Sequence, residues 1–196
     1  MIVYLDDILV FNGTKEEHLR HLNHVLKKLH QEKLQINLNK CSFMKEELVY
    51  LGFVVFAEGL KMDPEKVKAI VEWPSPRNVF EVRRFHGLAS FYKKFIRKFS
   101  NINAPIIETI KKSKQPFKWT AEAERNFKIL KKKITKKPVL ILPDFTKPFQ
   151  VKCDASGEAI GAMLNQDDRP VAYFSENLND TRRKYSSYEK EFYVVV

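Results

Sequence analysis

The sequence predicts an α+β fold, with short strands towards both ends of the chain and helices between them. Apolar runs flank a pair of aspartates within residues 1–11, and their length suits strands. Apolar residues recur at helical spacing in the middle of the chain, where N-cap and proline signals separate one segment from the next. Segments within residues 149–175 read as three strands before a last helical pattern, which predicts a β-β-β-α order.

The first predicted element is a hairpin with Asp6 and Asp7 at its tip. The apolar residues on each side predict two buried strands joined by a tight turn. Aspartate is favoured in turns and disfavoured in strands. Two neighbouring carboxylates repel each other and lose hydration on burial, unless an exposed turn or a divalent cation relieves them. The local sequence therefore leaves two interpretations open, an acidic surface turn and a Mg²⁺ site.

A helix and a meander of strands follow the hairpin. Thr-Lys-Glu-Glu at residues 14–17 is a capping-box sequence, and apolar residues at helical spacing extend the helix to about Glu32. Short strands are predicted at residues 34–38 and 48–56, ending at a Glu58-Gly59 turn. Within the meander, the glycine of Leu51-Gly52 either kinks a strand or permits close approach of another backbone.

Two helices are predicted next, separated by a proline-rich break. Asp63 is an N-cap, Pro64 takes the first helical position, and the helix ends before Trp-Pro-Ser-Pro at 73–76. The second helix starts within residues 78–81. We assign its apolar side to packing and its basic side to a candidate phosphate-contact surface. The apolar side carries Val82, Phe85, Leu88, Ala89, Tyr92 and Phe95, and the basic side carries Arg83, Arg84, Lys93, Lys94, Arg97 and Lys98.

A shorter helix is predicted after Ala104-Pro105, and another begins at its cap, Thr120. Lysines are dense in this part of the chain, and such a run is either a solvated face or a surface for a nucleic-acid backbone. They are Lys111, Lys112, Lys114, Lys118, Lys128, Lys131, Lys132, Lys133, Lys136 and Lys137. Residues 139–143 are predicted as a strand.

The C-terminal part begins with a strand at residues 149–156 that carries Asp154 near its end. Two more strands are predicted at residues 162–164 and 170–175, and helix propensity returns at Thr181 and continues through Glu191. Taken alone, Asp154 is an ordinary turn residue at the end of a strand.

Composition and charge restrict the classes of function. The chain has 196 residues, enough for one large or two small domains, and 44% of them are hydrophobic, so it can bury a core. Its 35 Lys and Arg exceed 24 Asp and Glu, and the net charge of +11 indicates a polyanionic partner such as nucleic acid. The two cysteines predict a reduced, intracellular protein. With neither a signal peptide nor an apolar span of about 20 residues, no membrane role is indicated.

Tyr4-Leu5-Asp6-Asp7 resembles the Tyr-x-Asp-Asp signature of reverse transcriptases. Further motifs follow in that family's order: Asn-Lys-Cys-Ser-Phe at 39–43, Tyr-Leu-Gly-Phe-Val-Val at 50–55, Asp-Pro-Glu-Lys-Val at 63–67, Trp-Pro-Ser-Pro at 73–76, Phe-His-Gly-Leu at 85–88, Tyr-Lys-Lys-Phe-Ile at 92–96, Pro-Val-Leu at 138–140 and Cys-Asp-Ala-Ser at 153–156. Together they resemble the Pol polyprotein of gypsy-type LTR retrotransposons over essentially the whole chain.

The resemblance implies three parts. Residues 1–60 correspond to the C-terminal part of the reverse transcriptase palm, residues 61–137 to thumb and connection helices, and residues 138–196 to the N-terminal part of a truncated ribonuclease H-like domain. The implied activities are Mg²⁺-dependent nucleotidyl transfer to a primer 3′-hydroxyl and hydrolysis of RNA in RNA–DNA hybrids. The implied partners are an RNA template, a DNA primer, their hybrid and deoxynucleoside triphosphates.

The resemblance also implies the site residues. Asp6 and Asp7 would be metal ligands of the polymerase site, and Asp154 and Glu191 of the ribonuclease H site, with Glu189 as the second choice. Leu51 and Gly52 would steady the primer end. Nucleic-acid contacts are expected from Arg83, Arg84, Lys93, Lys94, Lys132 and Lys133.

Each two-metal site needs more carboxylates than these, expected before residue 1 and beyond residue 196, so the chain alone is predicted to be inactive. The alternative interpretation is a non-catalytic, basic, nucleic-acid-binding remnant of a degenerate element.

Overall fold

The computed structural model describes residues 1–111, 116–136 and 139–195. Within them the strands are β1 (Ile2–Tyr4), β2 (Asp7–Leu9), β3 (Glu47–Tyr50), β4 (Phe53–Phe56), β5 (Gly59–Met62), β6 (Gln150–Ala155), β7 (Ala159–Gln166) and β8 (Arg169–Asn177). The α-helices are α1 (Lys15–Gln31), α2 (Pro64–Glu72), α3 (Val79–Phe91), α4 (Phe99–Lys111), α5 (Ala121–Thr135), α6 (Asp180–Arg183) and α7 (Ser187–Tyr193).

The strands form three antiparallel sheets, in the orders β1-β2, β3-β4-β5 and β6-β7-β8. The last sheet is followed by α6 and α7, so the predicted α+β class and the β-β-β-α order are confirmed. The terminal helical pattern is split because Ser186 starts a new helix, in which its hydroxyl and the Glu189 carboxylate form a reciprocal capping box. No described helix is both long enough and apolar enough to span a lipid bilayer.

The main core lies among α2, α3, α4 and α5. Large apolar side chains from these helices and from the segment after α3 are almost fully buried, and β5 adds Met62. Burial of this apolar area is the main favourable term that holds the helices together. Its largest buried members include Ile70, Phe85, Tyr92, Phe95, Ile106, Phe127 and Leu130.

Local start signals predicted the helices well. Thr14, Asp63 and Thr120 cap α1, α2 and α5, each accepting a hydrogen bond from a backbone N–H within the first turn. Asn78 caps α3 in the same way. These predictions are confirmed because a cap depends on residues only two or three positions away.

Two predictions about the N-terminal region are wrong. The β1–β2 hairpin forms, but its strands are exposed except at Leu9, because within the described residues they pair only with each other. Residues 34–38 form no strand; Leu38–Lys40 is a 3₁₀ turn, and the Asn37 side chain accepts from the Asn39 N–H. Such local side-chain bonds compete with strand pairing.

Two predictions in the middle of the chain are also wrong. Helix α4 begins at Phe99, not after Pro105, because Phe99 and Ile102 are buried in the core and stabilise the turns before the proline. Residues 139–143 form only a bridge, in which Leu140 and Leu60 exchange backbone hydrogen bonds of 2.7 and 2.9 Å.

Gly59 permits that bridge. Its φ is +149°, and a Cβ there would lie 2.0 Å from the Leu140 carbonyl oxygen. Any other residue would push the linker off the edge of β5. Lys112, Lys114 and Lys137 of the predicted lysine-rich stretch, and Pro138 of the Pro-Val-Leu motif, lie outside the described residues.

Candidate magnesium and nucleic-acid sites

The first site is the tip of the β1–β2 hairpin. Pairing of Tyr4 with Asp7 leaves Leu5 and Asp6 as a two-residue turn, with Leu5 at a φ of +52°. A non-glycine residue rarely adopts this conformation, and such strain is concentrated at functional sites. Asp6 and Asp7 are both exposed, and within the described residues no lysine or arginine forms an ion pair with either carboxylate.

Two aspartates are the kind of ligand that Mg²⁺ prefers, but they are too few to complete its coordination shell. Mg²⁺ prefers anionic oxygen in octahedral geometry, and two aspartates supply only part of such a shell. Across residues 1–111, 116–136 and 139–195, no three histidine, cysteine or carboxylate side chains gather in a metal-binding group. Asp6 and Asp7 therefore suit a shared site in which phosphates, water or other carboxylates complete the shell.

A second turn is tied to this tip. Tyr50 pairs with Phe53 across β3 and β4, leaving Leu51-Gly52 as a turn with φ values of +50° and +77°, which is the type favoured in tight hairpins. The Tyr50 hydroxyl donates to the Asp7 carbonyl oxygen at 3.3 Å. Burial raises the pKa of Tyr50, and the Asp7 charge raises it further, so the phenol stays protonated as a donor.

The Leu51-Gly52 turn is also fixed from the side of α3. The Tyr92 hydroxyl donates to the Gly52 carbonyl at 2.9 Å, and burial above all raises the pKa of Tyr92 to about 12. The Phe91 ring closes the other side, where a Cβ on Gly52 would lie 3.0 Å from its edge. Sequence reasoning missed the roles of Tyr50 and Tyr92, since no local pattern marks contacts across about 40 residues.

Phe53, directly after this turn, packs against the end of α3. Its ring lies 4.8 Å from that of Phe91 in a stacked arrangement and 5.8 Å from that of Tyr92 edge to face. The Lys94 ammonium lies 3.8 Å from the Phe53 centroid, and burial lowers the pKa of Lys94. Lys94 is therefore partly engaged in packing rather than projecting freely as a phosphate contact.

The second candidate metal site contains Asp154, which lies near the end of β6, as predicted. The Lys98 ammonium lies 2.7 Å from its Oδ2. The hydrogen bond and charge of Lys98, with a smaller effect from Arg97, lower the pKa of Asp154 and keep it ionised. Lys98 has a φ of +59°, so its backbone holds an uncommon conformation at this contact.

The two glutamates of α7 differ in their surroundings. The Glu189 carboxylate accepts from the Ser186 backbone N–H at 2.7 Å, which chiefly lowers the pKa of Glu189. Its capping role makes it the poorer metal ligand of the two. Glu191 is exposed on α7, which packs on β6 with Cys153 Sγ 3.7 Å from the Val194 carbonyl. The metal role of Glu191 stays a prediction.

The predicted basic contacts fall on three elements. Arg83 and Arg84 are exposed on α3, where the Arg84 guanidinium lies 5.6 Å from the Phe80 ring and 5.9 Å from that of Trp73. Lys93 is exposed in the 3₁₀ turn after α3, and Lys132 is exposed on α5. Lys133 is half-buried and lines a cleft together with residues of α4 and the segment before it.

The chain matches two family models. The model described as "Reverse transcriptase (RNA-dependent DNA polymerase)" matches residues 1–55, and the "RNase H-like domain found in reverse transcriptase" matches residues 119–196. The structure superimposes on a foamy viral protease-reverse transcriptase in complex with RNA/DNA hybrid, with a TM-score of 0.92 and 28% identity, over 99% of this chain and 27% of that one. The foamy viral protease-reverse transcriptase in complex with dsDNA superimposes with a TM-score of 0.81 and 28% identity, over 90% of this chain and 38% of that one.

Relatives of known name cover the full length of the chain. The Pol polyprotein from transposon 297 of Drosophila melanogaster is 40% identical over 100% of this chain and 18% of the relative. The Pol polyprotein from transposon opus of the same species is 39% identical over 99% of this chain and 21% of the relative. The Tf2-3 polyprotein of Schizosaccharomyces pombe is 32% identical over 100% of this chain and 15% of the relative. The chain thus spans about one fifth or less of the length of these relatives.

The fold and the two family matches define a chain that joins part of a reverse transcriptase to an RNase H-like domain, the combination found in the family of RNA-directed DNA polymerases with ribonuclease H. Over essentially its whole length the chain is similar to Pol polyproteins of retrotransposons, gypsy among them, as the motif order predicted. The domain limits at residues 60/61 and 137/138 stay predictions.

Proposed function

We propose that this chain supplies part of two Mg²⁺-dependent active sites to an RNA-directed DNA polymerase with ribonuclease H activity. Asp6 and Asp7 serve nucleotidyl transfer to a primer 3′-hydroxyl, and Asp154 and Glu191 serve hydrolysis of the RNA strand. The observation that carries the proposal is the exposed pair Asp6 and Asp7 at the tip of the β1–β2 hairpin, linked through Tyr50 to the Leu51-Gly52 turn. This link joins the candidate metal ligands to the turn expected to steady the primer end.

The residues act by orientation and charge. Bound Mg²⁺ would supply the charge that activates the primer hydroxyl and neutralises the triphosphate. Asp6 and Asp7 present anionic oxygens in an exposed turn, where they bear no burial cost. Tyr50 and Tyr92 fix the positions of the two turns. The Tyr50 hydroxyl donates a hydrogen bond to the Asp7 carbonyl, and the Tyr92 hydroxyl donates one to the Gly52 carbonyl. A misplacement of about 1 Å costs such sites much of their rate.

Nucleic acid as a partner is supported by the charge and by the structural neighbours. A net charge of +11 favours the phosphate backbone, which contributes a large share of protein–nucleic-acid affinity. The superimposed foamy viral enzymes were bound to RNA/DNA hybrid and to dsDNA. We extend these partners to the present chain, with a DNA primer, an RNA template and deoxynucleoside triphosphates as substrates of the assembled enzyme.

The metal role is tested with Mn²⁺, a paramagnetic substitute for Mg²⁺, in NMR spectra of the 196-residue chain. We expect millimolar Mn²⁺ to broaden the amide signals around Asp6 and Asp7 before others, and the double change Asp6→Asn, Asp7→Asn to abolish this.

The chain offers a matched control. Asp167 and Asp168 are also adjacent aspartates in a hairpin turn, but they pair with Lys147 at 2.8 Å and Lys152 at 3.1 Å. Their signals should broaden less. Equal broadening at both turns would remove the metal role of Asp6 and Asp7 and favour the non-catalytic nucleic-acid-binding remnant.

A further inference from the structure

Helix α4 starts after a residue that cannot cap it. The first N–H groups of a helix have no partner within the helix, and a polar side chain just before it usually accepts a hydrogen bond from one of them. Helices α1, α2, α3 and α5 are each capped in this way. Lys98, which precedes α4, has no acceptor atom in its side chain. A partner for the first turn of α4 therefore has to come from another part of the fold.

A serine on β8 supplies this partner. The Ser100 N–H, in the first turn of α4, donates to Ser175 Oγ at 2.9 Å. The Ser100 hydroxyl donates to the Ser175 carbonyl at 2.8 Å, and the Ser175 hydroxyl donates to Ser100 Oγ at 3.1 Å. These bonds are partly buried, so they are stronger than bonds in water. Two serines that are 75 positions apart thus form a reciprocal pair, in which the sheet caps the helix.

The serine pair lies in a joint between α4 and the C-terminal sheet. Asn101, the next residue of α4, donates to Ser156 Oγ in the turn after β6 at 3.1 Å. Tyr173 of β8 packs against the main core. Lys98 has a φ of +59°, a conformation that is uncommon for a residue with a side chain, so the backbone that enters the joint is constrained. Together these contacts place β6, which carries Asp154, at a defined position relative to the helices.

We propose that Ser100 and Ser175 are positioning residues, which fix the C-terminal sheet on α4 and thereby set how far from the primer end the RNA strand is cut. The inference rests on the proposed function, which assigns one reaction to Asp6 and Asp7 and the other to Asp154. Apolar burial is non-directional, whereas a hydrogen bond requires a particular distance and angle. The serine pair therefore defines an orientation of the sheet that apolar packing by itself does not.

Pulsed electron paramagnetic resonance on the 196-residue chain tests the placement of the sheet. Nitroxide labels are attached at Arg125→Cys on α5 and Val151→Cys on β6, both exposed positions, after the two native cysteines have been replaced by serine. We expect a single narrow distribution of distances between the labels. The double change Ser100→Ala, Ser175→Ala should widen this distribution by about twofold or more, since parts of a chain that lack a strong interface move relative to each other. An unchanged width would overturn the proposal.

The matched control is Ser75→Ala, which also removes a serine hydrogen bond, of 2.8 Å to Glu124, but within the helical part of the chain. Its distance distribution should stay narrow, and equal widening would overturn the special role of the pair. Ser175→Thr keeps the hydroxyl on a residue type that strands favour, so it should give a narrower distribution than Ser175→Ala. Equal widths for these two variants would contradict the role of the hydroxyl. Circular dichroism checks that each variant is folded.

The consequence for the reaction is tested in the assembled enzyme, on a hybrid whose RNA strand is labelled at one end. Cuts by the unaltered enzyme should fall in a narrow range of distances from the primer end, and Ser100→Ala, Ser175→Ala should spread them over a wider range. A loss of cutting with no change in its position would indicate a merely stabilising role and overturn the proposal. Absence of cutting by the unaltered enzyme would overturn the proposed function instead, and the label distances would still decide the role of the serine pair.

Discussion

The ammonium of Lys98 lies 2.7 Å from the carboxylate of Asp154, and this contact joins the helical part of the chain to the C-terminal sheet. Both side chains are about half exposed, so the pair contributes little to stability. Its significance is positional, because a cation from the segment before α4 occupies one oxygen of a candidate metal ligand. A metal ion at Asp154 has to compete with Lys98 or share the carboxylate with it.

The first prediction concerns this competition. Lys98→Met should increase the affinity of Asp154 for Mn²⁺ several-fold, because it removes the positive charge nearest to the carboxylate. Broadening of the amide signals at Cys153–Ala155 during a Mn²⁺ titration measures this. Lys45→Met, which removes an exposed lysine elsewhere, should have no effect there. Unchanged broadening in the Lys98 variant would show that the ion pair does not hinder metal binding.

The second prediction concerns activity of the chain by itself. No primer extension is expected on a primed RNA template with Mg²⁺ or Mn²⁺, because Asp6 and Asp7 have no third carboxylate close by within the described residues. Incorporation of a labelled nucleotide measures this, with a complete reverse transcriptase as the positive control. Incorporation that disappears in the Asp6→Asn variant would contradict the count of ligands.

The third prediction compares two glycines. Gly52→Ala should destabilise the chain by about 1–2 kcal/mol, because its φ of +77° disfavours a side chain and the Cβ would meet the Phe91 ring at 3.0 Å. Gly87→Ala should stabilise it by about 0.5–1 kcal/mol, since Gly87 lies inside α3 with no atom close to the new methyl group. Urea unfolding measures both. A neutral or stabilising effect of Gly52→Ala would contradict the assignment of the Leu51-Gly52 turn.

The fourth prediction is a pH dependence at His86, whose Nδ1 lies 2.9 Å from the Asn103 amide nitrogen. Burial is the main cause that lowers the pKa of His86. A histidine with a lowered pKa takes up its proton more readily in the unfolded chain, so stability falls as the pH drops below about 6.5.

Urea unfolding at pH 5, 6 and 7 measures this loss. His86→Gln should reduce the dependence on pH, whereas His24→Gln on exposed α1 should leave it unchanged. An identical pH profile for the His86 variant and the unaltered chain would show that the ring titrates as it does in water.

The sequence by itself determined the elements whose causes are local. Caps at Thr14, Asp63 and Thr120 and the N-terminal hairpin that carries Asp6 and Asp7 all depend on residues a few positions apart, so they were predictable. The gypsy-type Pol family was likewise predictable, because the order of its motifs is a property of the amino-acid sequence alone.

Only the tertiary structure decided what depends on residues distant in sequence. The N-terminal hairpin is exposed because, within the described residues, its strands pair only with each other, and α4 starts at Phe99 because burial outweighs the proline signal. The Lys98–Asp154 contact spans 56 positions, and the cleft lined by Asn101 and Lys133 combines α4 with α5. Such contacts form where the packing of the core brings separate elements together, and no local periodicity encodes them.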